Sequence, residues 1–244
     1  MKLCDIGGVV RNLRLLTRVA IANYICMPIA TVGLLLWFGS PPIIAAGFLI
    51  VAVRPGAAYG PPFTAMAKGN VAASTGLMVF LAGSSAICAP LLLRRLLPVM
   101  TRSQALNVDL LKIILTLLVT QLSPLFAGLC IRERRPALAD KLKHPANCMS
   151  AALNLCIFGV IVIAHVRTLA AIRVQAFMGM FALLITSIAA SWLLGEAGTA
   201  NRKAMSFSTS VRNIAVSLVI ATASFPGSPA VTAALVYGLF QTIM

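Results

Sequence analysis

The sequence predicts an all-α integral membrane protein, a polytopic helical bundle, and three observations carry that expectation. Hydrophobic residues make up 60% of the 244 positions and charged residues only 10%, against about 25% charged in an ordinary soluble domain. The apolar residues fall in runs of about 20, the length that crosses the ~30 Å hydrocarbon core as a helix. The twenty lysines and arginines gather mostly between those runs, where loop residues meet an anionic membrane surface.

Eight segments follow in order, all within one transmembrane domain, residues 1–244. The first runs from about Leu16 to Phe38 and stops at Gly39-Ser40-Pro41-Pro42. The second, Ile43 to Met66, is interrupted at Arg54-Pro55-Gly56 and again at Gly60-Pro61-Pro62. The third covers Val71 to Leu97 and the fourth Leu110 to Ile131, before a basic loop from Arg132 through Lys143. The fifth spans Asn147 to Val166 and the sixth Val174 to Leu194. The seventh, Ala204 to Phe225, carries the polar patch Ser206 to Asn213, and the eighth, 230–244, follows Pro229. The charged start lacks a small-residue cleavage site after a short apolar core, so no cleaved signal peptide is expected.

Alternate loops divide the basic residues twelve to six, with Arg54 and Arg212 inside segments. The positive-inside rule places the richer side, and with it both termini, in the cytoplasm. A plasma membrane or bacterial inner membrane is the expected home. The net charge of +15 does not signal nucleic acid, because no basic helix with interleaved aromatics is present. The six cysteines form no CxxC pair and are not read as standing at ligand spacing from His144 and His165, so neither a metal site nor a disulfide framework is expected. No paired carboxylates, HExxH or GxSxG occur at membrane depth, so no enzyme is expected and no cofactor. Oligomeric state is not encoded legibly.

Segments two and seven differ from the rest. Each places helix-breaking or polar residues and one arginine inside the bilayer, where a charge costs at least about 2.5–3.5 kcal/mol. Pro55 removes a backbone donor and Gly56 permits an irregular turn. Backbone freed in this way needs partners from protein or from a watery cavity. Broken helices in corresponding positions are the sequence pointer to a transporter site. The candidate substrate site is therefore Arg54, Pro55 and Gly56 with Ser208, Thr209, Arg212 and Asn213, and a small organic anion suits its two guanidinium groups.

Three stretches carry a family resemblance: PGAAYGPPFTAMAKGNVAAS (55–74), QLSPLFAGL (121–129) and NRKAMSFSTSVRNIAVSLVIATASFP (201–226). In these the chain resembles the bile acid:sodium symporter family, which has a PGG turn, an AKGN or ARGN loop, and a second crossing helix in that order. The resemblance implies an inverted-repeat transporter fold with two crossing broken helices, secondary transport by alternating access, and a chain whose first segment matches the family's third helix. It also implies ion ligands. Ser74 agrees with a family serine. Gly60 and Pro61 stand in place of a serine-asparagine pair, Met78 replaces a threonine, Ser208 a glutamate and Arg212 a glutamine, while Asn213 keeps the pattern. Ser74 and Ser208 are the remaining ion-ligand candidates. Fixed guanidinium charge in place of bound cations is one expectation; the coupling ion stays open between Na+, H+ and none. A truncated relative acting as a membrane scaffold or sensor is the alternative.

Overall fold

The computed structural model describes residues 12–101, 123–170, 174–195 and 198–244, with 115 and 119 besides. Among them the secondary structure is helical throughout. Among the described residues four stretches are long and apolar enough to cross a membrane: Leu13–Trp37, Val71–Met100, Ala176–Leu194 and Thr199–Ser224. The chain is a multi-pass integral membrane protein.

The first crossing is α1 (Leu13–Ile21), a π-helical turn at Ala22–Cys26, and α2 (Met27–Trp37). Asn12 starts it by accepting the Leu15 N–H on its side chain, 3.2 Å, as N-caps do. The second segment divides into α3 (Pro42–Ala52) and α4 (Gly60–Met66). Helices of eleven and seven residues rise about 16 and 10 Å, so neither crosses alone. The sequence expectation of a second interruption at Gly60-Pro61-Pro62 is corrected here. Those prolines form the first turn of α4, where a missing N–H is harmless and the fixed φ is already helical.

Helix α5 (Val71–Thr101) carries Pro90 and Pro98 inside it. The short α6 (Ser123–Arg134) is followed by α7 (Pro136–Ala170), so the basic stretch expected as a loop is helical on both sides of Arg135. Pro136 opens α7, and an Arg132–Asp140 ion pair ties the two helices together. Charge suggested solvent, and solvent is compatible with an exposed helix as well as with a loop. Then come α8 (Val174–Leu194), α9 (Thr199–Ser210), α10 (Ile214–Ser224) and α11 (Pro229–Ile243). Of the expected fourth segment only its end, from Ser123, lies within a described helix; Gln121 and Leu122 lie outside the described residues.

Among the described residues the core has two parts. The larger joins α2, α3, α5, α8, α10 and α11 around Leu49, Ile50, Leu93, Met180, Ile220 and Tyr237. Helix α3 lies directly on α11, and a side chain at Gly47 would collide with the Ala230 backbone; small residues permit this closeness where lipid gives helices no hydrophobic push. The smaller part joins α1 to α5 and α9 through Leu15, Val19, Leu77, Leu81 and Met205. Large apolar side chains such as Ile29, Trp37, Ile87 and Leu193 are exposed, the surface a lipid solvent requires.

Candidate functional site

The two broken segments meet at their interruptions. Helix α4 packs on α9 and α3 on α10, so the halves pair crosswise. The unwound residues are bonded to each other: the Asn213 N–H donates to the Arg54 carbonyl at 2.9 Å. Gly56 makes the first break by taking φ +86°. A Cβ there would stand 2.6 Å from the Ala82 nitrogen, so the position accepts glycine alone. Pro55 is buried beside it.

Backbone groups at the second break find partners within the protein. Gln241 of α11 spans Arg212 with one amide: its Oε1 accepts the Arg212 N–H at 2.7 Å, and its Nε2 donates to the Arg212 carbonyl at 3.2 Å. The Asn213 side chain accepts the Val216 N–H at 3.3 Å and so caps α10. These pairings answer the rule that buried backbone in lipid finds an internal partner.

Both arginines are sealed, Arg54 at 0% and Arg212 at 1% exposure. Arg54 Nη1 donates to the Ser85 carbonyl of α5 at 3.1 Å, one residue before the carbonyl that Pro90 deprives of its helical donor. Arg212 Nη1 donates to the Ala52 carbonyl at 3.0 Å and to Asn23 Oδ1 at 3.1 Å. Ala52 ends α3, so this guanidinium sits on the negative end of a helix dipole. The guanidinium groups thus reach to different elements, although the backbones behind them are bonded. Among the described residues the acids are Glu133 and Asp140, both exposed on α6 and α7.

A second cluster lies where α4, α5 and α9 touch. Ser74 Oγ and Ser208 Oγ are 3.2 Å apart, and Thr64 Oγ1 lies 3.0 Å from Ser74 Oγ and 2.9 Å from the Gly60 carbonyl. The two serines named as ion-ligand candidates therefore stand together, with a threonine that the sequence did not single out. Thr209 turns the other way and accepts from Asn23 Nδ2 at 3.1 Å. The AKGN loop docks on the start of α9: the Asn70 N–H donates to the Ala200 carbonyl at 3.0 Å, and Lys203 Nζ donates to the Ala67 carbonyl at 2.9 Å. Basic residues of α9 and of the break after it thus cap the end of each half of the second segment, Lys203 on α4 and Arg212 on α3.

Asn23, Thr64 and Gln241 were missed from sequence. Asn23 is a single amide in a long apolar run, fully buried within the π-helical turn; such turns recur at functional positions. The available signal was its polarity at membrane depth.

The model of the sodium bile acid symporter family matches residues 1–172. Among curated proteins, the chain is 24% identical over 222 residues to the "Uncharacterized sodium-dependent transporter YocS" of Bacillus subtilis (strain 168), an alignment covering 88% of this chain and 66% of that protein. The chain therefore spans just under two thirds of that relative's length. With more than half of its residues matched by the family model, and two interrupted helices bonded at their breaks, the chain belongs to the sodium bile acid symporter family.

Proposed function

We propose that the protein is a secondary transporter of small organic anions that works by alternating access, with Arg212 as a built-in cation at the crossing. The observation that carries this reading is the guanidinium's choice of partners. It takes the carbonyl that ends α3 and an amide oxygen, the hard oxygen ligands a bound sodium ion would use. A permanent charge there does the electrostatic work of a bound cation without needing one. Arg54, on the Ser85 carbonyl, adds to the same positive field. In a low-dielectric interior that field favours an anion far more strongly than it would in water.

A second reading concerns sodium itself, and the hydroxyl cluster favours it. Thr64, Ser74 and Ser208 gather oxygen atoms within 3.0 and 3.2 Å of one another, and the relative named above is described as sodium-dependent. On this reading one sodium remains useful at the cluster while Arg212 replaces another.

Uptake of labelled organic acids into proteoliposomes, with and without sodium, separates these readings. Uptake that continues without sodium and is abolished by Arg212→Ala supports the fixed-cation transporter. Uptake that falls in sodium-free buffer and becomes sodium-insensitive with Ser208→Ala supports the one-sodium form. A protein that takes up nothing, and binds no anion with or without Arg212, belongs to the scaffold or sensor alternative.

A further inference from the structure

We infer that the Nε–Nη2 edge of Arg212 is a subsite for a single carboxylate, held side-on by two parallel N–H···O bonds; the inference rests on the organic-anion reading above. A guanidinium has five donors in a fixed plane. In Arg212 the two bonds to Ala52 and Asn23 are both made by Nη1. Nε and Nη2 have no hydrogen-bond partner among the described residues and are shielded from solvent.

Those two atoms are not an arbitrary remainder. They form the side of the guanidinium from which two N–H bonds point the same way, matching the spacing of two oxygens on one carboxylate. Buried donors left unmade are costly and uncommon, and here the two orphans are adjacent, coplanar and on a group that is 1% exposed.

The remaining contacts hold this edge in one orientation. Asn23 Nδ2 donates to the Val19 carbonyl at 2.9 Å and to Thr209 Oγ1 at 3.1 Å, which leaves Oδ1 toward the guanidinium. A flipped amide would set NH2 against N–H and oxygen against the Val19 carbonyl, losing two of the three bonds, since only the Thr209 hydroxyl can serve as either donor or acceptor. The Ala52 carbonyl fixes Nη1 from a second direction, and Gln241 fixes the Arg212 backbone through both of its polar groups. Asn23 and Gln241 are therefore positioning residues, and Arg212 is the group that would touch the ligand. A carboxylate docked on the free edge satisfies both orphan donors and neutralises the buried charge together.

The test uses the purified full chain and a panel of straight-chain monocarboxylates from acetate to decanoate, each matched to its primary amide and its sulfonate, followed by thermal shift. At least one acid stabilises the wild-type protein while its amide does not. Arg212→Lys keeps the charge but not the fork, and its apparent affinity for that acid falls by about tenfold or more. Arg202→Lys, on the face of Trp192, leaves it unchanged. Should the lysine variant fail to fold, Asn23→Ala keeps the arginine and removes one of the bonds that aim it, and the same acid then binds several-fold more weakly.

Equal binding by wild type and Arg212→Lys would overturn the side-on fork and leave the anion reading standing. A response to sulfonates but to no acid would overturn the choice of carboxylate. A wild-type protein stabilised by neither acids nor sulfonates would overturn the anion reading itself.

Discussion

Arg212 makes its two hydrogen bonds through one nitrogen, and Asn23 supplies one of the acceptors. Removing that acceptor while the guanidinium stays buried leaves a charged donor short of a partner, at about 1–3 kcal/mol. Asn23→Ala should therefore lower the unfolding midpoint of the purified protein measurably, whereas Thr17→Ala, at an exposed hydroxyl bonded within its own helix, should not. Gly56 makes a sharper case. Its φ of +86° and the 2.6 Å approach of the Ala82 nitrogen make Gly56→Ala incompatible with the native break. Strain of about 1–3 kcal/mol for the backbone alone, with a backbone collision added, should abolish a monodisperse peak in size-exclusion chromatography. The sequence made Gly56 legible because its Pro-Gly follows an arginine at membrane depth and is matched by a second arginine in segment seven; a lone Pro-Gly more often marks a kink. It left Asn23 hidden, because a lone amide does not disturb helical periodicity and its partners lie 186 and 189 residues away.

The elements that matter most are the interrupted ones, and their stability is borrowed from neighbours. The break between α9 and α10 is closed by one side chain of α11, since Gln241 engages both backbone groups of Arg212. Gln241→Leu keeps the packing volume and removes both bonds. Amide exchange at Arg212 and Asn213 should quicken in that variant, while exchange in the middle of α5 stays as it was. Legibility at this scale was uneven for a physical reason: proline both breaks a helix and begins one. Pro55 falls at a break, whereas Pro61 and Pro62 begin α4, and only the surrounding packing separates the two roles. Charge misled in the same way between Arg132 and Lys143, where an exposed helix carries the residues that read as a loop.

Across the whole molecule, apolar run length was enough to announce a membrane bundle, because in lipid the backbone has few other ways to satisfy itself. The crosswise pairing of α3 with α10 and α4 with α9 was not legible from run length and entered only through the family resemblance. The positive-inside rule carries the expectation that the basic stretch from Arg132 to Lys143, where α6 meets α7, faces the cytoplasm. A cysteine introduced at Lys143 in a cysteine-free background should resist a membrane-impermeant maleimide added to intact cells and react once the cells are opened; labelling of intact cells would reverse the orientation.

The fixed positive charge at the crossing is the claim on which the functional account turns. Its most direct measurement is organic-acid uptake by reconstituted wild-type and Arg212→Gln protein, each in sodium and in choline buffer. The account predicts that wild-type uptake persists in choline, and that the glutamine variant either stops or begins to require sodium. Wild-type uptake that vanishes in choline, together with an Arg212→Gln protein indistinguishable from it in both buffers, would contradict the account.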